Sequence, residues 1–581
     1  MNTESMNNKN ALSPAESLLK RWCDTLLKHQ VRGYGALQDG GFLCDACTLL
    51  HGRADNAILP LMLMYRISGE EKYAAAAKAA FYFSLRFREP DGALRNDSAH
   101  PWKGITVFSA LCILKTLEHF SRLLSDTLRE ELRRELRISA DWVSRTIHSG
   151  FQTNINYYAA GADCLIGCGK YYGEDAWTEA GKELLSYCMA HFSENGLLYG
   201  EGFPHDVRSA SGCVPVDIGY DMEESLPCLA DAALRLQDRS LLRKLAGYAH
   251  AMLDFMLPDG AIDNSFGTRN NKWTWYGSRT SDGMLPLFAA LTPYDPQLLP
   301  AAAKHLTLLE KCTPDGSLCG GPRYHKLGQK PCIHHTFSHA AGLAEAILLG
   351  FRGDEAEARV PVITGEAVKY YPELRLYRIR FGRFVAAITA YDYRYGTYTD
   401  GAAHGSGGTL SLLYDCKTGP VIAGSVLDYR LTEPFNMQLP EGPLSHRPLI
   451  LRAELFEYGT LYSTCIDPAA EIITEEYPDR LIFRTRSRFV RISDWRAADE
   501  ALTLETVYEF TEDRLQMRFS LSDYSREVLL HIPVIADSLP FSADRAYTAV
   551  PCFCLSPGFD AVDHILPLDR PLTASLGTGS E

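Results

Sequence analysis

Between residues 39 and 317 the chain repeats one short signal six times. Asp39-Gly40-Gly41-Phe42, Asp91-Gly92-Ala93-Leu94, Ser149-Gly150-Phe151, Asn195-Gly196-Leu197, Asp259-Gly260-Ala261 and Asp315-Gly316-Ser317 each place a glycine, usually behind Asp or Asn, before a short extended stretch. Such a glycine stops a helix. From Gly41 to Gly316 the successive glycines lie 51, 58, 46, 64 and 56 residues apart, room for two helices each time. The intervening segments, such as 71–87, 105–124 and 241–257, carry apolar residues at i, i+3, i+4 and i+7 with strong helix formers between them. About twelve such segments in adjacent pairs make six helical hairpins. Six pairs can close into an (α/α)6 toroid that buries its inner helices. An open superhelix is the competing arrangement; six units without a capping helix favour closure.

The pattern changes near residues 350–365. From Leu374 onward, apolar and polar residues alternate at period two with β-branched and aromatic enrichment, as in 481–492 and 502–522. The expected fold class is therefore α+β and multidomain: an N-terminal (α/α)6 toroid over 12–352, then a C-terminal antiparallel β-sandwich over 366–581. The stretch beyond Leu566 is less patterned and is expected to be partly loose. With 58 Lys and Arg against 72 Asp and Glu, the net charge is -14, which weighs against a nucleic-acid partner. No run approaches the roughly 20 apolar residues of a membrane span. Residues 1–14 are polar and lack the apolar core of an export signal, so a cytoplasmic location is expected.

The 16 cysteines are scattered singly through apolar runs and read as reduced core residues. Two spacings invite a metal, Cys44-x2-Cys47-x3-His51 and Cys552-x-Cys554. Neither has a second half-site at the usual zinc distance along the chain, so packing is the preferred reading. His335 and His339 stand at i, i+4 without an evident third ligand. No cofactor is expected, and a structural divalent metal in the β-domain stays open.

In a closed toroid the segments after the six glycines emerge on one face and rim one cleft, and they hold the chemically versatile residues. One carries Asn154, Asn156 and Tyr157 where a loop turns into an inner helix; Asn154 there can also serve as a helix cap. A long Gly/Pro-interrupted loop, 199–227, carries Glu201, His205, Arg208, Asp217 and Tyr220. The stretch 263–283 mixes Trp273, Trp275 and Tyr276 with Arg269, Lys272 and Arg279. Aromatic faces beside cations suit a sugar ring bearing a carboxylate. The β-half adds Tyr391, Tyr393, Tyr395, Tyr398 and His404. Packing is the preferred reading for Tyr391 and Tyr393, whereas His404 between Ala and Gly is unshielded.

Six helical hairpins followed by a β-sandwich resemble the toroid-type polysaccharide lyases of the heparinase II/III-like and alginate-lyase-like group. That group opens an inner helix with an Asn-His pair, places a Tyr on a toroid loop about sixty residues later, and sets a His early in its β-domain. Asn154 to Asn156 resembles the first element, although Tyr157 stands where His would follow. Tyr220, 64 residues beyond Asn156, resembles the second, Glu201-Gly202 is similar to the group's acidic-Gly loop, and His404 resembles the third. The resemblance implies β-elimination at a uronate of an acidic oligosaccharide. Asn156 with Arg279 or Arg208 would neutralise the carboxylate, and Tyr220 with His404 would move the proton. Asn154, Tyr157, Glu201, His205, Arg208, Arg269, Trp273, Trp275, Tyr276 and Tyr398 would bind substrate. A toroid-type glycoside hydrolase using Asp217 and Glu201, and a non-catalytic carbohydrate-binding protein, are the alternatives.

Overall fold

The computed structural model describes residues 11–98, 101–148, 150–280, 282–328, 330–354, 367–394, 404–427, 447–554 and 557–577. Twelve helices of seven residues or more occur among them. They are α1 (Pro14–His29), α2 (Ile58–Ser68), α3 (Glu71–Ser84), α4 (Thr106–Phe120), α5 (Asp126–Thr146), α6 (Ile155–Tyr172), α7 (Asp175–Met189), α8 (Leu226–Leu236), α9 (Arg239–Met252), α10 (Leu285–Leu291), α11 (Leu298–Lys311) and α12 (Ile333–Leu348). Even-numbered helices form the inner ring and odd-numbered ones the outer. Composition sorts them: α12 buries thirteen of its sixteen residues, whereas amphipathic α5 buries eight of twenty-one. None is long and apolar enough to cross a membrane.

Each inner helix touches the next, and α12 returns to α2, so the ring is closed. Five pairs are sequential hairpins. The sixth pairs α12 with α1, where Trp22 Nε1 donates to Thr313 Oγ1 at 3.1 Å and the Ala15 amide donates to the Arg352 carbonyl at 3.0 Å. The repeated glycines explain the spacing. Gly260 and Gly316 hold φ of 91° and 89°, which favours glycine. A Cβ on Gly260 would overlap the Lys304 carbonyl on α11, and one on Gly316 would overlap Thr25 on α1. Each turn is thus pressed onto the next outer helix.

The strands of the second half are all antiparallel. One five-stranded sheet runs in chain order through Ala367–Tyr371, Leu376–Phe381, Phe384–Thr389, Thr409–Asp415 and Gly419–Ala423. Two six-stranded sheets follow, and strands of all three share one apolar core. Beyond Leu566, where a partly loose stretch was expected, the described residues 567–577 contain one further strand. Leu572–Gly577 pairs with Arg514–Phe519 on one side and Phe541–Ala543 on the other, burying Leu572, Ala574 and Leu576. Its period-two pattern was simply too short to stand out.

The five-stranded sheet meets the loop face of the toroid. Lys369 Nζ and Tyr371 Oη both reach Asp254 Oδ2, at 2.6 and 2.7 Å, and Arg378 is ion-paired with buried Asp263. Tyr391 Oη donates to the Val214 carbonyl at 2.9 Å and accepts from the Val216 amide at 3.1 Å. These bonds anchor the long loop that leads into the candidate site.

Candidate active site

Tyr220 ends a single helical turn, Ile218–Tyr220, whose cap is Asp217. Asp217 Oδ1 accepts from the Tyr220 amide at 3.1 Å and from Asn264 Nδ2 at 3.0 Å, while Oδ2 accepts from the Arg269 amide at 3.0 Å. One buried carboxylate therefore fixes two loops against each other. The next turn, Asp221–Ser225, is π-helical, a distortion frequent at functional sites.

Two cations converge on the Tyr220 phenol. The Arg269 guanidinium lies 3.9 Å above the ring centroid, and Lys272 Nζ lies 3.5 Å from the hydroxyl. Thr280 Oγ1 hydrogen-bonds the same hydroxyl. Asn156, in the first turn of α6, donates from Nδ2 to Glu224 Oε2 at 2.6 Å, and its amide donates to Glu201 Oε1 at 3.2 Å. Its Oδ1 is buried without a hydrogen-bond partner. Glu201 Oε2 stands 3.1 Å from Arg269 Nη2, which joins the Asn156 and Tyr220 halves. Beside them Arg53 pairs with Asp282 at 3.0 Å, and Tyr157 Oη accepts from Trp102 Nε1 at 2.7 Å.

Burial changes the charge balance. It pushes Glu201 up to about 7, with Arg269 opposing. Burial and then the neighbouring Asp282 charge push Glu224 up to about 8, with Arg53 opposing. Burial followed by repulsion from Glu201 and Asp217 holds Asp221 well above the carboxylate range. Near neutrality Glu201 and Glu224 therefore carry less than their full negative charge beside the Arg53, Arg269 and Lys272 cations.

Of the expected residues, Asn156, Tyr157, Glu201, Tyr220 and Arg269 come together. Asn154 occupies the cap position of α6 and is buried, but its side chain makes no capping bond. The aromatic trio does not line the cleft. Trp273, Trp275 and Tyr276 have no exposed surface, and their polar atoms are spent on the Ile262 carbonyl, Asp259 and His335. They pack the hairpin 273–278 between toroid and sandwich, with Trp275 edge-on to Phe559. His205 is likewise buried, its ring nitrogens facing Tyr187 Oη and the Thr153 carbonyl at 2.8 and 2.6 Å. Arg208 is exposed and donates to the Gly212 carbonyl within its own loop.

Arg279 is buried and its amide donates to the Lys272 carbonyl at 3.0 Å; burial, then His339 and then the Arg279 charge hold His335 well below the usual histidine range. His404 stacks on Tyr391 with centroids 5.0 Å apart, and both ring nitrogens face carbonyl oxygens, of Tyr393 and Gly405, at 3.2 Å. It thus buttresses the loop anchor from behind. Tyr398 lies outside the described residues. Cys552 is buried in the strand Thr548–Cys554, and His339 Nε2 faces Glu223 Oε1 at 3.4 Å. Arg53, Glu224, Thr280 and Asp282 were not anticipated. Lys272 was noticed among its neighbours but not assigned to substrate. Both oxygens of Asp217 are engaged by the loops.

Both halves of the chain resemble known proteins. The Ulvan lyase N-terminal domain matches residues 19–362 and the Ulvan lyase C-terminal domain matches 368–540. A broad-specificity ulvan lyase from Formosa agariphila is 35% identical over 462 residues, which cover 78% of this chain and 72% of that protein. The fold is shared with a heparinase III (12% identity, TM-score 0.51, 98% of this chain and 85% of that one). It is shared equally with the chondroitin AC lyase of Streptomyces coelicolor A3 (11% identity, TM-score 0.51, 98% and 79%). The protein is a polysaccharide lyase that cleaves a uronate-containing glycan by β-elimination, and the chain belongs to the ulvan lyase family.

Proposed function

We propose that the glycan is ulvan, the polysaccharide for which the Formosa agariphila relative is named, and that Tyr220 moves the proton. The observation that carries this reading is the pair of cations at Tyr220, Arg269 at 3.9 Å and Lys272 at 3.5 Å. An ordinary phenol titrates near 10 and is a weak base at neutrality. A cation this close favours the phenolate over the phenol, and burial opposes it. The C5–H bond of the uronate breaks toward the phenolate oxygen. The electron pair forms the C4–C5 double bond as the C4–O4 bond breaks, and the proton passes to O4 of the leaving sugar.

Charge building on the uronate carboxylate must be met by donors aimed at it. Arg269 and Asn156 supply them, and burial of Asn156 keeps water from competing. Tyr220→Phe is expected to lower kcat by roughly two to four orders of magnitude with KM little changed. Ultraviolet absorbance of the 4,5-unsaturated product measures it. Wild-type turnover in that variant would remove Tyr220 from the reaction. A cytoplasmic location, with an imported oligosaccharide as substrate, is a further part of the proposal; fractionating the producing cells tests it.

A further inference from the structure

The first post-glycine loop and the start of the last helix meet at a cluster that the elimination chemistry does not use. Cys44 Sγ, Cys47 Sγ, His51 Nε2 and Cys332 Sγ all lie within 4.8 Å of one another. Cys44 and Cys332 sulfurs are 3.5 Å apart, Cys47 Sγ and His51 Nε2 3.4 Å, and Cys332 Sγ and His51 Nε2 3.6 Å. Tetrahedral zinc, with Zn–S about 2.3 Å and Zn–N about 2.0 Å, has ligand-to-ligand edges of about 3.5–3.8 Å. These three edges lie within about 0.1 Å of that range. Cys44, His51 and Cys332 are buried and Cys47 half-buried.

The backbone is shaped for the same purpose. The Thr48 amide donates to the Cys44 carbonyl at 2.9 Å and the Cys44 amide to the Leu49 carbonyl at 3.0 Å, with Thr48 at a φ of 58°. This tight reversal turns both cysteines of the C-x2-C pair toward one point. Cys332 occupies the cap position of the sixteen-residue α12, so its side chain stands at the start of that helix. The second half-site missing from the local spacing thus arrives from the other end of the helical region, 288 residues from Cys44.

We propose that Cys44, Cys47, His51 and Cys332 bind one structural zinc ion that fastens the seam where the ring closes. Four protein ligands leave no open position, so the ion takes no part in the elimination. Each of the three thiols gives up one proton on binding, and His51 binds neutral through Nε2. Two residues beyond His51 stands Arg53 of the active site, and two beyond Cys332 stands His334, whose ring lies 5.3 Å from that of His51. The ion therefore also holds the loop that presents Arg53.

Chain purified without added metal or a metal-binding tag is expected to carry about one zinc, and Cys332→Ser less than about a tenth of that by the same elemental analysis. Cobalt(II) titrated into chelator-stripped protein is expected to give thiolate-to-metal absorption saturating at one equivalent. Stripping should lower Tm by several degrees, and zinc should restore it. Tyr220→Phe should keep its zinc, which separates this test from that of the elimination mechanism. A metal-free chain with no cobalt–thiolate band overturns the proposal. So does one that has lost two titratable thiols to a Cys44–Cys332 disulfide, or a Cys332→Ser chain with full zinc. Should Cys332→Ser not fold, Cys47→Ser and the wild-type cobalt titration give the same decision.

Discussion

Glu201 has no exposed surface, and its pKa lies well above the ordinary glutamate value because burial outweighs Arg269. The folded state thus holds a proton that the unfolded chain releases. Its contribution to stability is complete below about 4.5 and is lost as pH rises through about 7. Thermal unfolding should show stability falling across that window, by up to roughly 1.4 kcal/mol per pH unit for this group. Glu201→Gln should flatten that part of the curve, and an unchanged slope would refute the assignment. Asn156, Tyr220, Glu201 and Arg269 were legible because amide, phenol, acid and guanidinium on cleft loops imply this chemistry. That Arg269 lies over the Tyr220 ring follows only from the fold of 263–283, since Arg269 and Arg279 are arginines of one segment. Arg53 and Glu224 left no local signal, since each is defined by a partner distant in sequence.

The hairpin 273–278 shows how residue type misleads about direction. Tryptophans beside cations in a glycine-rich loop describe a sugar platform equally well as a packing wedge. The indole N–H groups decide here, because Ile262 and Asp259 already accept them inside the protein. Trp275→Ala should cost about 3–5 kcal/mol in stability and leave KM at permissive temperature nearly unchanged, measured by denaturant melts and steady-state kinetics. A KM rise of more than about tenfold (some 1.4 kcal/mol of binding) would restore a binding role. Gly277 belongs to the same element: a Cβ there would overlap the Glu223 carboxylate, which accepts from the Ser278 amide at 2.7 Å. The element is a wedge whose shape only packing reveals.

Across the whole molecule, four inner helices converge on one charge cluster, half-buried except for fully buried Asp163. Lys115 of α4 lies 2.6 Å from Glu345 of α12 and 3.1 Å from Asp231 of α8, and Arg235 of α8 lies 2.9 Å from Asp163 of α6. Lys115→Met would leave these carboxyl groups to Arg235 alone and should cost about 3–5 kcal/mol. Adding Glu345→Gln should return part of it, by urea denaturation. A single variant as stable as wild type would show the cluster to be unimportant. The ring was readable from six glycines because most of the turns meet the same steric demand against a neighbouring outer helix. Its closing contact was not, since that contact joins the two ends of a pattern whose repeats differ in sequence. With the Ala15 amide donating to the Arg352 carbonyl at 3.0 Å, the helical region ends beside its own beginning. It consequently has no privileged first repeat: covalently bridging those neighbours and severing any outer-to-inner connection would preserve the same circle of contacts under a different chain order.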